Sequence, residues 1–247
     1  MEVEVTFTPA EFEALAQRDL RDAGCVVFDV LRATSTAVVA LACGARGIRP
    51  VATIEEALEC RRRNPAVLLA GERAGRRIGA ALTGGVEFDL GNSPFEFTAE
   101  RVAGRTLVQT TTNGTRALRA SATGGRVLAG AFLNLAAVAA AIGRASWRRL
   151  LLVCSGTGEA AAGEDTLAAG ALCDRLGKLA ELTDSARIAL GFWRSAGGGW
   201  RAEAAATQNA RRLLAIPELA ADVEFCLRTD VFGVVPELNP EGELVVR

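Results

Sequence analysis

The sequence predicts an α/β protein, a three-layer α/β/α sandwich around a mostly parallel or mixed sheet, with residues 1–247 forming a single domain. Three observations carry this expectation. Short β-branched apolar runs alternate with helical patterns along most of the chain. The apolar runs are continuous, as in strands covered on both faces. Half of the residues are hydrophobic, enough for a substantial core.

The elements follow in order. Residues 9–22 read as a helix, with Pro9 near its start and Phe12, Leu15 and Leu20 set among charges. CVVFDVL (25–31) reads as a buried strand, and TSTAVVALACGA (34–45) as a helix opened by Thr34 or Ser35 and closed near Gly44. IRPVAT is a short strand. In TIEEALECRRR, Thr53 and Glu56 have capping-box spacing, and the arginine triplet suits a helix C-terminus. AVLLA (66–70) is a further strand. The polar, glycine-rich stretch 71–97 has little periodicity, and connections of that length are often functional. Strands are then expected at 106–109, 126–129 and 149–154, and helices at 113–121, 132–144 and 164–181. From 183 onward the chain reads as mainly helical, with a glycine-rich turn in SAGGGW and a final strand, ELVVR.

Composition excludes several chemistries. The chain has no histidine and no tyrosine. Serine–histidine triads, cysteine–histidine dyads and histidine-bound metals are therefore ruled out. Acid–base work falls to carboxylates, Lys178, cysteine or a metal-bound water, and carboxylate ligands favour Mg²⁺ or Mn²⁺. The six cysteines are scattered, with no CxxC pair, and read as small core residues. A net charge of −1 without a basic face argues against nucleic acid. No apolar run is long enough to span a bilayer. The acidic, amphipathic N-terminus does not resemble a signal peptide, so a cytoplasmic location is expected.

Three strands run into the same kind of elbow. FDVLRATST ends on Thr34-Ser35-Thr36, TLVQTTTNGT on a threonine-rich Asn-Gly turn, and LLLVCSGTG on Ser155-Gly156-Thr157-Gly158. Helix capping explains any one of them. Three together, at strand ends where open α/β sheets bind ligands, point to a shared anion site. Charged residues sit beside them: Asp29 inside an apolar strand, Arg32, Glu72-Arg73, and Glu164-Asp165. A buried strand acid is rare without a partner or metal.

GTGEAA (156–161) also matches the GxGxxA pattern, which gives an alternative reading as a dinucleotide-binding oxidoreductase. A non-catalytic anion-binding protein is a third class. A P-loop is excluded, because Glu164-Asp165 stand where it needs Lys-Ser/Thr.

Five blocks in order carry a family resemblance: FDVLRATST (28–36), GERAGRRI (71–78), FDLGNSPFE (88–96), TTTNGTRAL (110–118) and CSGTG…EDTLAAGAL (154–172). Over about residues 25–175 the chain resembles the 2-phosphosulfolactate phosphatases, named for a step in coenzyme M biosynthesis. The linker GAALTGGVEF is longer and richer in Gly and Ala than that pattern. The resemblance implies a three-layer α/β/α fold and a Mg²⁺-dependent phosphatase acting on phosphate monoesters of 2-hydroxycarboxylic acids. The implied reaction takes (2R)-2-phospho-3-sulfolactate to 3-sulfolactate and phosphate.

For such a substrate, Asp29 with Glu164 or Asp165 is expected to hold the metal, with Glu72 a further candidate. Asp29, Arg32, Glu72 and Asp165 form the expected catalytic set. Arg32, Arg73 and Arg116 are expected to clamp phosphate and carboxylate. Neutral donors are expected from Thr34, Ser35, Asn92, Ser93, Thr111, Thr112, Asn113, Gly114, Thr115, Ser155 and Gly156. The attacking group is either water or Asp29, with Cys154 less favoured. The expected partner is an anionic small molecule, with no nucleic acid and no membrane. Association into a homo-oligomer is compatible with the sequence.

Overall fold

A computed structural model describes residues 1–123 and 125–246. Its strands are β1 (Glu2–Thr6), β2 (Ala23–Phe28), β3 (Gly47–Pro50), β4 (Leu68–Arg73), β5 (Arg76–Arg77), β6 (Thr106–Thr110), β7 (Arg126–Gly130), β8 (Arg149–Cys154), β9 (Glu181–Leu182), β10 (Pro236–Leu238) and β11 (Leu244–Val246). They form one mixed sheet in the order β5-β4-β6-β3-β11-β10-β7-β2-β8-β1-β9. The helices are α1 (Pro9–Glu13), α2 (Ala33–Ala42), α3 (Ile54–Arg63), α4 (Ala80–Thr83), α5 (Ala99–Val102), α6 (Gly114–Ser121), α7 (Leu135–Gly143), α8 (Gly163–Leu176), α9 (Asp184–Ala196), α10 (Trp200–Ala205), α11 (Gln208–Leu214) and α12 (Ala220–Cys226).

The expected α/β sandwich is present. On one side of the sheet, Leu135 and Val138 of α7, Leu167 and Leu172 of α8 and Val223 of α12 pack against Val26, Leu128 and Leu152. On the other side, Phe12 of α1, Val38 of α2 and Leu118 of α6 pack against Val27, Val127 and Val153. A smaller cluster around Val67, Leu69, Ile78 and Phe88 seals the β4 end. Strands β2, β7 and β8 are parallel neighbours, so their carboxyl ends lie on one edge. Strands β3, β4 and β6 form a second parallel group. Among the described residues, no helix is long and apolar enough to cross a membrane.

Several boundaries differ from the sequence expectation. The helix expected over 9–22 is only α1 plus a 3₁₀ turn, Ala14–Gln17, because Arg18 is already extended. The helix expected to reach 181 stops at Leu176, where Gly177 takes a positive φ of 50°. Thr53 caps α3, its hydroxyl accepting from the Glu56 N–H at 3.1 Å. Four strands lie outside the expectation: β1, β10, and the two-residue strands β5 and β9. β1 alternates, with Val3 and Val5 buried and Glu2 exposed, and pairs in parallel with β8. β10 has only three residues. The expected final strand is β11, with Arg247 outside the described residues.

β10 and β11 form an antiparallel hairpin inserted between the two parallel groups. Glu237 stands opposite Leu128 of β7, and Leu244 opposite Ile48 of β3. The last strands in the chain therefore occupy the middle of the sheet.

Candidate active site

Asp29 follows the last residue of β2, and the turn after it is built around its backbone and carboxylate. Its N–H donates to Thr34 Oγ1 at 3.0 Å, and its carbonyl accepts from the Thr34 N–H at 3.0 Å. Oδ1 accepts from the Ala33 N–H at 3.1 Å. Ser35 Oγ donates to the Val30 carbonyl at 2.8 Å. The expected donors Thr34 and Ser35 thus brace the Asp29 turn from behind, which leaves Asp29 to face a cavity of about 50 Å³.

The threonine-rich elbow joins it from β6. Thr111 and Thr115 cap α6 reciprocally: the Thr115 N–H donates to Thr111 Oγ1 at 3.2 Å, and the Thr111 N–H to Thr115 Oγ1 at 3.3 Å. Thr112 is anchored on Glu72, whose Oε1 accepts from its N–H at 3.0 Å and from its hydroxyl at 2.9 Å. Glu72 Oε2 accepts from the Gly75 N–H at 2.7 Å. Glu72 therefore ties the β4–β5 turn to the elbow. Asn113 Nδ2 donates to the carbonyls of Ser155 and Gly158, both at 3.0 Å, linking the second elbow to the third.

Gly114 makes the closest approach. A Cβ there would lie 2.5 Å from Asp29 Oδ2 and 2.6 Å from Ala33 Cβ. Gly114→Ala should therefore displace the Asp29 carboxylate. The expected cost is about 1–3 kcal/mol of stability, as for other overpacked sites, together with a clear fall in turnover. Urea unfolding and phosphate release measure the two effects, and a folded Gly114→Ala protein with wild-type turnover would show that the contact is not needed.

The two acids that open α8 differ in their surroundings. Asp165 is buried with both oxygens engaged: Oδ1 accepts from the Val30 N–H at 2.8 Å and Oδ2 from the Gly156 N–H at 3.2 Å. It clamps the ends of β2 and β8 together. Glu164 is equally buried, yet only Oε1 is engaged, accepting from Asn209 Nδ2 at 2.9 Å. Among the described residues its Oε2 has no hydrogen-bond partner, nor do the buried atoms Asn113 Oδ1, Ser155 Oγ and Thr157 Oγ1 of the second and third elbows. Buried polar groups are satisfied almost everywhere in folded proteins, and Asn113 and Thr157 belong to residues that line the cavity.

Electrostatics point the same way. Burial pushes the Asp29 carboxyl up to about 7, and the charges of Glu72 and Glu164 raise it further against the Ala33 N–H and Arg32. Burial also lifts Asp165, with Glu164 and Asp29 adding to the rise. The Cys154 thiol is held well above its usual range by burial, which does not suit a thiolate nucleophile.

The expected arginine clamp is largely committed elsewhere. Arg32 lines the cavity but is buried against Asp222, Nη1 to Oδ2 at 2.6 Å, and donates to the Gly75 carbonyl at 2.7 Å. Arg73 donates to Thr110 Oγ1 at 3.0 Å and to the Glu72 carbonyl at 2.7 Å. Arg116 pairs with Glu13 and Glu159 on the surface. Asn92 lines the cavity and accepts from Gln109 Nε2 at 3.2 Å, while Ser93 donates to Asp222 Oδ1 at 2.6 Å.

The C-terminal third, which carries no sequence motif, supplies Asn209, Arg212 and Leu213 of α11 to the cavity wall and Asp222 of α12 behind it. Asp222 had one signal, an acid inside the apolar run LAADVEFCL. Asn209 and Arg212 had none beyond their helical setting.

The GTGEAA segment does not form a dinucleotide elbow. Thr157 and Ala160 bridge each other in a tight turn, and α8 begins only at Gly163 with two buried acids in its first turn. A cavity this small is far below the roughly 300–1,000 Å³ of a cofactor site. Among the described residues, no three His, Cys, Asp or Glu side chains converge into a ready-made metal cage.

A family model for 2-phosphosulpholactate phosphatase matches residues 10–241. The chain belongs to the 2-phosphosulfolactate phosphatase family. The family comprises phosphoric monoester hydrolases, and its relatives align over nearly the whole chain. A probable 2-phosphosulfolactate phosphatase of Thermotoga petrophila is 42% identical over 86% of this chain and 88% of its own length. One of Thermotoga maritima is 41% identical over the same shares. One of Caldanaerobacter subterraneus is 36% identical over 92% of both chains. The match to the 2-phosphosulfolactate phosphatase family extends well past residue 175, the end of the resemblance read from motifs, and takes in the helices that carry Asn209, Arg212 and Asp222.

Proposed function

We propose that this protein is a Mg²⁺-dependent phosphatase that hydrolyses the phosphate ester of a 2-hydroxycarboxylic acid, with 2-phospho-3-sulfolactate, the substrate named for its relatives, as the leading candidate. The observation that carries this reading is a small cavity faced by Asp29, backed by further buried carboxylates, and built into a sheet edge where an anion is expected to bind. An anionic ester can enter such a place only if a cation intervenes. The donor set fits Mg²⁺, which takes hard oxygen ligands and is commonly held by one or two carboxylates with water and substrate phosphate completing its shell. Asp29 and the unpartnered Oε2 of Glu164 are the groups that would hold it. Asp165, its oxygens already occupied by backbone N–H groups, serves as the brace between them.

Bound there, Mg²⁺ would supply positive charge to the phosphoryl oxygens as the ester bond breaks. The protein's own groups do the rest. Helix α6 starts at Gly114; Thr111 caps its Thr115 N–H, and the other N–H groups of the first turn favour an anion at that end. Thr111 and Asn113 fix the elbow against α6 and the third elbow, so these donors are positioned before substrate arrives. The Asp29 carboxylate accepts a proton from an attacking water or itself attacks phosphorus. Stereochemistry at phosphorus separates the two: with a phosphorus-chiral thiophosphate ester, direct attack by water inverts the configuration, whereas a double displacement through Asp29 retains it.

Purified protein should release phosphate from 2-phospho-3-sulfolactate in the presence of Mg²⁺ and lose that activity with EDTA. No release from this or any other 2-phosphohydroxy acid would overturn the proposal.

A further inference from the structure

Arg32, Arg73 and Arg116, the arginines expected to clamp the substrate, are spent on internal partners, but an arginine at the cavity wall that lies outside every motif is not. Arg212 stands at the wall of the cavity on α11 and is exposed. Among the described residues it has no carboxylate partner, and one hydrogen bond holds it, from Nη2 to Asn209 Oδ1 at 2.8 Å. Asn209 is itself buried, and its Nδ2 donates to the Leu31 carbonyl at 2.8 Å and to Glu164 Oε1 at 2.9 Å. One amide therefore orients a free guanidinium on one side and, on the other, the carboxylate whose second oxygen is unpartnered.

Building on the phosphatase reading, we propose that Arg212 is the specificity residue of this site. It grips the second anionic group of the substrate, the carboxylate or sulfonate beside the phosphate ester, and Asn209 is its positioning residue. The chemistry fits. Arg32 has its charge matched by Asp222, so it adds no net positive charge to the cavity. A substrate with a second anion needs a cation that the protein has left unpaired, and a planar guanidinium meets a carboxylate or sulfonate with two parallel hydrogen bonds. Asn209 adds registry, because shifting Arg212 also disturbs Glu164. Leu213 and Leu31 give the same wall an apolar face, suited to a short carbon skeleton between two charged ends.

The test compares two esters on Arg212→Ala and Arg212→Lys. One carries a second anion, 2-phospho-3-sulfolactate or 2-phospholactate. The other, phenyl phosphate, carries none. The ratio of kcat/KM between them should fall by on the order of 10- to 100-fold in Arg212→Ala, the loss expected for a hydrogen-bonded charge contact. Most of that loss should lie in KM, with partial recovery in Arg212→Lys. Asn209→Ala should lower the same ratio and also weaken Mg²⁺ activation, a combination that loss of helix packing would not give. A ratio unchanged within twofold in Arg212→Ala would overturn the proposal.

A binding arm keeps this separate from the phosphatase reading. Thermal stabilisation by phosphoglycolate, which carries both a phosphate and a carboxylate, should be lost in Arg212→Ala, while stabilisation by inorganic phosphate should persist. Wild-type protein that binds phosphoglycolate in this Arg212-dependent way but turns over no ester would sink the phosphatase reading alone. Equal stabilisation of both proteins by phosphoglycolate would sink the role of Arg212 alone.

Discussion

Asp29→Asn should lose phosphatase turnover by roughly 10²–10⁴-fold, the range associated with removing a positioned acid–base group, while remaining folded. The change is nearly isosteric, and the Ala33 N–H can still find the amide oxygen in place of Oδ1. It also removes a charge that burial and two neighbouring carboxylates disfavour. The two effects should therefore separate, with activity collapsing and stability of the metal-free protein holding or rising. The pH profile provides a second reading. The carboxyl moves from its ordinary value of 3.8 to about 7 on folding. Across that window the folded protein keeps a proton at Asp29 that the unfolded chain has released. Metal-free stability therefore falls as pH rises from 3.8 towards 7 and levels off above it. Asp29→Asn should make this slope shallower, leaving the part carried by Asp165, whose carboxyl burial also raises, and Mg²⁺, which favours the ionised form of Asp29, should do the same. Denaturant midpoints with and without EDTA measure it. A slope in Asp29→Asn equal to that of the wild type would place the responsible group elsewhere.

The second large effect is structural. Arg32 and Asp222 form a pair whose side chains are 2% and 1% exposed. Asp222→Ala would strand a buried guanidinium and free Ser93 from the same carboxylate. Breaking a buried pair from one side costs about 3–5 kcal/mol, which for a chain of this size lowers Tm by roughly 6–20 °C. Activity should fall with it, because the Gly75 carbonyl and the cavity wall both depend on where Arg32 lies. Replacing both members with apolar residues, Arg32→Met with Asp222→Leu, should recover most of the stability and little of the activity. Calorimetry and phosphate release on the same samples decide the matter. If the double variant were as unstable as Asp222→Ala, the stranded charge would not be the cause.

Much of this was legible in the sequence. The parallel strands announced themselves through unbroken apolar runs, and β8 has the expected bounds, Arg149–Cys154. Asp29 stood out because a carboxylate in such a run carries a desolvation cost that needs a reason. What a side chain does after the strand ends was not legible, because that depends on which remote group reaches it. Glu72, Asp165 and Arg32 all have the charge that suggested a direct role, yet each is bound to partners from distant parts of the chain. Asp165 reaches back to Val30, and Arg32 reaches forward to Asp222. Arg73 and Arg116 show the same point in simpler form, because periodicity shows which way a helix or strand turns but not which acid waits there. Arg212 was invisible for the opposite reason. Its significance lies in lacking a carboxylate partner, a property of the fold and not of any local pattern.

The hairpin of β10 and β11 makes the sheet depend on a distant stretch of chain. Strands β3 and β7 meet only through residues 236–246. Without the hairpin, two half-sheets would have open inner edges, each able to pair with a neighbouring copy. The Asp29 elbow belongs to one half and the threonine elbow to the other, so the hairpin also bears on how the walls of the pocket meet. Changes in residues 236–246 therefore act on the centre of the sheet rather than on its margin.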